Sequence, residues 1–173
     1  MVVWFLGKSG SGKTFFGQKL YLKIKENHRN TVYLDGDELR SAISEDLGHS
    51  EEDRYTSEKR RSRLCKLLSD QGIYVICSGI SNVPKIREWN KKNIKNYFEI
   101  YLKTNQQTLY SRDPKGLYKR YLNGEISSIV GEDIKFNEPI SPWLEIYNNS
   151  EDNLNADDCI NEVVGKLIKN KII

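Results

Sequence analysis

A chain of 173 residues, 38% hydrophobic and 29% charged, can bury one substantial core and reads as a single domain spanning residues 1–173. No apolar run approaches the length of a membrane span, and a net charge of +3 is too small to argue for nucleic acid as a partner. Cys65, Cys77 and Cys159 are odd in number and widely spaced, which argues against a disulfide framework or zinc site and points to a reducing cytoplasm.

The segment VVWFL starts at residue 2, lacks a charged leader and runs straight into a glycine loop. It reads as a strand and not as a signal peptide, with no regulatory extension expected ahead of it. A helix is expected over Lys13–Asn27, then the strand TVYLD, then helices over Glu38–Leu47 and Ser50–Gln71. The strand IYVICS, a helix over Pro84–Ile94, the strand YFEIYL and a helix over Gln106–Arg112 follow. The strand WLEIY and a helix from about Asp157 to Lys169 close the pattern. Between Pro114 and Pro142 the chain carries Gly116, Gly124, Gly131 and three of its four prolines with little apolar periodicity, the make-up of a functional lid or a disordered loop. Short buried strands alternating with helices predict an α/β fold, a parallel sheet of about five strands flanked by helices on both faces. Such a sheet binds ligands beyond the carboxyl ends of its strands, where the glycine loop falls.

That loop, GKSGSGKT, matches the phosphate-loop pattern in full, from Gly7 through Ser9, Gly10, Ser11 and Gly12 to Lys13 and Thr14. Its glycines let backbone N–H groups turn toward phosphate oxygens, and the following helix adds its positive end. Lys13 is placed to reach the β- and γ-phosphates of ATP, and the Thr14 hydroxyl to ligate Mg²⁺. Three classes remain open at this point: a small-molecule kinase, a nucleotide-driven switch or a nucleic-acid enzyme.

After the second strand comes YLDGDELR. Asp35 and Asp37 at a strand's carboxyl end can ligate Mg²⁺ or accept a proton from an attacking hydroxyl, and Arg40 can hold an anionic acceptor. The third strand ends IYVICSGIS, with Ser78 and Ser81 where a motor or switch would carry an acid, which argues for the kinase. In EKRRSRL the cations Lys59, Arg60, Arg61 and Arg63 spread round a helix whose buried side is expected at Leu64, Leu67 and Leu68. Most of that charge reads as solvated, with one or two cations turned into the cleft.

The ordered blocks GKSGSGKT, YLDGDELR, DLGHSEEDR and RDPKGLYKR resemble the adenylyl-sulfate kinases over nearly the whole chain. The resemblance implies phosphoryl transfer from ATP to the 3′-hydroxyl of a nucleotide with an unusual group on its 5′-phosphate. It implies that Asp37 accepts the hydroxyl proton, that Arg40 and Arg54 hold the acceptor's anionic end, and that Arg112 packs by the ATP base. It further implies that Lys115 and Lys119 reach phosphates when the lid closes, and that Ser81 corresponds to the serine of the family's I-S-P turn. The family is commonly dimeric, so a homodimer is compatible with it, although no exposed apolar stripe is legible in the sequence.

The departures from the family cluster on one side of the acceptor. The two phenylalanines that grip adenine in that family correspond here to His49 and Ile129, and an acceptor-side asparagine corresponds to Ser57. The anion-binding arginines persist while the base-gripping positions change together. The resemblance therefore points to a smaller base, with cytidine diphosphoramidate of capsule phosphoramidate synthesis as the expected acceptor. An ordinary adenylyl-sulfate kinase, with His49 stacking in part, is the alternative, and a non-catalytic nucleotide-binding protein a more distant one.

Overall fold

The apolar runs pair as one parallel sheet. The computed structural model describes residues 1–149 and 156–173. Among these the strands are β1 (Val2–Leu6), β2 (Thr31–Leu34), β3 (Tyr74–Gly79), β4 (Tyr97–Lys103) and β5 (Leu144–Tyr147), in the order β2-β3-β1-β4-β5. All are parallel, with Val2 opposite Val75 on one side and Tyr97 on the other. The central place of β1 explains its composition, because a strand covered on both faces reads as a continuous apolar run. Val3 and Phe5 point to one core and Val2, Trp4 and Leu6 to the other.

The helices are α1 (Lys13–Lys25), α2 (Gly36–Ile43), α3 (Glu51–Asp70), α4 (Pro84–Asn93), α5 (Gln106–Arg112), α6 (Leu117–Leu122) and α7 (Ala156–Lys169). Helix α1 brings Phe16, Leu20 and Ile24 to the first core, and α7 meets them with Ile160, Val163 and Leu167 at helical spacing. The second core holds Cys65 of α3, Val75, Cys77 and Ile94, with Trp89 of α4 packed against it.

From β1 the chain passes outward to β2, returns through β3 and then crosses to β4 on the far side of β1. Loops leaving β1 and its neighbours diverge there, opening a crevice at the carboxyl ends of β1, β2 and β3.

Three expectations change. Helix α2 starts at Gly36 and not Glu38, because the Asp35 carboxylate caps it by accepting from the Asp37 N–H at 2.9 Å. The segment from 114 to 142 is more regular than its composition suggests. Asp113 accepts from the N–H groups of Tyr118 and Lys119 at 3.2 and 3.0 Å and thereby starts α6. On α3 the leucines do not mark the buried side. Leu67 is 57% exposed and Leu64 and Leu68 are half-buried, while Ser57, Glu58, Arg61, Ser62 and Cys65 face inward. A polar stripe faces inward because the turn after β3 needs acceptors for its amides. Glu58 accepts from the N–H groups of Asn82 and Val83 at 2.8 and 3.2 Å.

Leu20 is fully buried between α1, the sheet and α7. Leu20→Ala is expected to lower the unfolding free energy by about 2–5 kcal/mol in urea titrations. A loss under about 1 kcal/mol would mean that this core closes over the gap.

Candidate active site

Gly12 stands at φ 94°, a left-handed conformation that a side chain would strain, and from it the chain enters α1. The four carbonyls before it, from Lys8 to Ser11, are engaged. Lys13 Nζ donates to Lys8 O at 2.6 Å, and the Tyr118 hydroxyl donates to Ser9 O at 2.9 Å. Arg112 Nη1 donates to Gly10 O at 3.4 Å, and Asn148 Nδ2 to Ser11 O at 2.9 Å. The Ser11 N–H also donates to Lys8 O, at 3.3 Å, and with these oxygens held the remaining loop N–H groups are left for an anion. Burial brings the Lys13 ammonium down to about 8; Asp37 opposes this shift and Lys115 adds to it. A phosphate arriving there meets a cation that lacks a full counter-charge.

Asp35 is the hub of the crevice. Its Oδ2 accepts from the hydroxyls of Thr14 at 2.9 Å, Tyr33 at 3.0 Å and Ser78 at 2.9 Å, while Oδ1 caps α2. Burial works to raise its pKa, but the hydrogen bonds from the Asp37 N–H, Thr14, Ser78 and Tyr33 outweigh that and hold the carboxyl below its ordinary value. Both oxygens are thus engaged inside the protein, and Asp35 positions the neighbouring groups. Asp37, on the first turn of α2, projects its carboxylate into the open cleft, 73% exposed, and forms an ion pair with Lys115 from the segment before α6. In this structure Lys115 therefore meets Asp37, and Lys119 is exposed on α6.

On the other wall, Arg40 Nη2 donates to Leu47 O at 3.0 Å and to Gly48 O. Arg54 Nε donates to His49 O at 3.0 Å, and its Nη2 to Ser128 O at 2.7 Å, one residue before Ile129. Ile129 is held in turn through its N–H, which donates to Asp133 Oδ1 at 2.6 Å. The positions of His49 and Ile129, 80 residues apart in the chain, are thus tied to one guanidinium. Partial burial and the neighbouring Arg40 and Arg54 charges hold the His49 imidazole below its usual pKa, which favours its neutral form. Ser57 is buried on α3, 8% exposed.

Ser81 stands apart from these groups. It is 3% exposed at φ 53°, its Oγ accepts from Trp4 Nε1 at 2.6 Å, and its carbonyl accepts from Arg87 at 2.9 Å. Two residues that hold the phosphate loop, Tyr118 and Asn148, do not stand out in the sequence. Tyr118 lies inside the RDPKGLYKR block, and Asn148 is the polar residue that ends the fifth apolar run, but neither carries a local signature. Among the described residues no helix is long and apolar enough to cross a membrane.

Residues 1–147 match the family model described as adenylylsulphate kinase. The chain is 42% identical over 153 residues to the cytidine diphosphoramidate kinase of Campylobacter jejuni, covering 88% of this chain and 89% of that protein. It is 33% identical to the adenylyl-sulfate kinase of Clostridium kluyveri, covering 95% and 81%. Among solved structures, the Mycobacterium tuberculosis APS kinase in complex with AMPPNP and APS superposes with a TM-score of 0.82 at 34% identity, covering 92% of this chain and 95% of that one. The phosphate loop and the acid opposite it thus have a family to which they belong: the chain is a member of the adenylylsulphate kinase family and an ATP-dependent nucleotide kinase.

Proposed function

We propose that the chain transfers the γ-phosphate of ATP to the 3′-hydroxyl of cytidine diphosphoramidate, with residues 114–142 acting as the lid of a single domain. The observation that carries the choice of acceptor is the Arg54 junction, where the loop bearing His49 and the segment bearing Ile129 meet on one guanidinium. These are the two base-gripping positions, and neither offers a benzene ring. Loss of two stacking rings would forfeit roughly 1–3 kcal/mol each with adenine as the base. A neutral imidazole opposite an aliphatic side chain suits a smaller ring. The similarity to a protein named cytidine diphosphoramidate kinase supports the same acceptor.

The chain's own groups supply the chemistry of transfer. Lys13 and the loop amides hold the β- and γ-phosphates, and Arg40 and Arg54 hold the acceptor's charged end. Asp37 takes the proton as the 3′-oxygen bonds to the γ-phosphorus, and the bond from that phosphorus to the β-phosphate oxygen breaks to release ADP. Lys115 exchanges Asp37 for phosphate oxygens as the lid closes, which frees the base. Thr14 Oγ1 is a hard oxygen donor that fits Mg²⁺ and would hold it, oriented by Asp35 Oδ2 at 2.9 Å. The ion would neutralise charge on the β- and γ-phosphates.

The second reading, adenylyl sulfate as acceptor, is favoured by the same pair of arginines, which suit a sulfate as well as a phosphoramidate. An ADP-release assay with Mg·ATP and both acceptors side by side separates the two. A kcat/KM advantage for cytidine diphosphoramidate is expected, and an advantage for adenylyl sulfate would return the protein to sulfate activation.

Asp37→Asn is expected to reduce kcat about 10²–10⁴-fold with the KM for ATP little changed. Retained turnover would remove Asp37 from the role of base. Lys13 gives a pH signature of its own. With its pKa lowered to about 8 in the free protein, and phosphate oxygens favouring the charged form, ATP binding raises that pKa and takes up protons just above pH 8. Affinity should fall as pH rises through about 8. Calorimetric titrations in buffers of different ionisation heat should show the uptake, and buffer-independent heats would show that Lys13 is fully charged before ATP arrives.

A further inference from the structure

Arg61 belongs to the EKRRSRL run, yet none of the roles above uses it. Of the four cations in that run it alone is buried, at 8% exposure. Burying a guanidinium is costly unless its donors are paired. Among the described residues its one hydrogen bond is long, from Nη1 to Ser78 O at 3.4 Å, and its face lies 5.6 Å from the centre of the Trp4 ring. Glu58 is the nearby counter-charge, but its two oxygens are taken by the Asn82 and Val83 amides.

Two glycines clear the seat this side chain occupies. A Cβ on Gly79 would fall 1.8 Å from Nη1, and one on Gly36 would fall 2.7 Å from it. The guanidinium therefore fills the gap between the carboxyl end of β3 and the first residue of α2, next to Asp37. Arg61 also follows Arg54 and Ser57 by seven and four residues on α3, so all three lie on one face of the helix. On that face Arg54, which meets the His49 and Ser128 carbonyls, is followed by Ser57 one turn on and Arg61 one turn further.

We infer that Arg61 is a specificity-determining residue of the acceptor subsite, its guanidinium donating to the adjacent carbonyl oxygen and unprotonated ring nitrogen of a cytosine base. This rests on the cytidine reading above and says how the base is recognised. The charged end of the acceptor already has Arg40 and Arg54, so a third buried cation finds its use at the base. Two neighbouring acceptors on one planar edge match the fork of an arginine. Uracil turns a ring N–H toward the same fork, and adenine an amino group. Each sets donor against donor, so one side chain both attracts cytosine and rejects the alternatives.

The test measures kcat/KM for cytidine diphosphoramidate, its uridine counterpart and adenylyl sulfate in the wild-type enzyme, Arg61→Met and Arg61→Lys. Wild type should prefer cytidine. Arg61→Met should lose about 10- to 100-fold with the cytidine acceptor, through KM more than kcat, while the uridine acceptor loses little and the KM for ATP stays put. Arg61→Lys keeps a charge beside Glu58 but not the fork, so it should fold normally and still lose most of the cytidine-to-uridine preference. If Arg61→Met fails to fold, Arg61→Lys decides alone. An undiminished cytidine preference in Arg61→Lys overturns the Arg61 assignment and leaves the cytidine reading standing. An equal loss with all acceptors, accompanied by a raised KM for ATP, also overturns it, because that is the signature of a structural residue. A wild-type preference for adenylyl sulfate overturns the cytidine reading itself, and with it the recognition of cytosine by Arg61.

Discussion

The site depends on one requirement: the backbone oxygens of the phosphate loop must be satisfied within the protein, so that they do not face an incoming phosphate. A loop rich in glycine has no intrinsic reason to keep that orientation, since glycine samples both signs of φ with similar ease. What holds it are four donors from different parts of the chain, namely Lys13 itself, Arg112 at the end of α5, Tyr118 on α6 and Asn148 just past β5. The sheet carries these donors to one place. Tyr118 also belongs to the segment from 114 to 142, so the same hydroxyl that orients the loop ties that segment to it.

The crevice gathers more charge than it neutralises. Lys13, Lys115, Arg40 and Arg54 gather on it, and burial, with Lys115 adding to it, lowers the Lys13 pKa. The field of such a cluster is of use only to anions, and here both reactants are anionic. The Lys115–Asp37 pair is a provisional arrangement of two exposed groups, held by an interaction that is weak in water and easily traded for a phosphate. Asp35 differs from Asp37 in this respect. Buried and fully engaged, it fixes Thr14 and the start of α2 relative to each other, while the Asp37 carboxylate, two residues later, is exposed and paired with Lys115.

A polar network runs along α3. Its inward stripe is polar where a core helix would be apolar, and it makes contacts there: Glu58 to the turn after β3, Arg54 to the His49 and Ser128 carbonyls. Glycines at 36 and 79 leave room for Arg61 between strand and helix. Such sites violate the local rule that apolar residues face inward, and violations of that kind concentrate at functional positions.

Much of this is legible in the order of residues along the chain. The five strands follow from their apolar runs, because a buried parallel strand must be hydrophobic on both faces. The phosphate loop follows from a fixed spacing, because only that arrangement of glycine, lysine and hydroxyl wraps a phosphate. The order of motifs behind it fixes the family. The buried face of α3 is not legible there, since Leu64, Leu67 and Leu68 carry the local hydrophobic signal while a polar network takes the interior. Nor is α6, whose cap comes from Asp113 within a stretch of turn-forming composition. The sequence by itself determined the fold class, the phosphate site and the acid that faces it, because each rests on residues close together in the chain. Only the tertiary structure decided which cation is buried, which distant donors hold the loop and which segments meet at Arg54. Those outcomes depend on contacts between residues 17 to 137 positions apart, which no local pattern encodes.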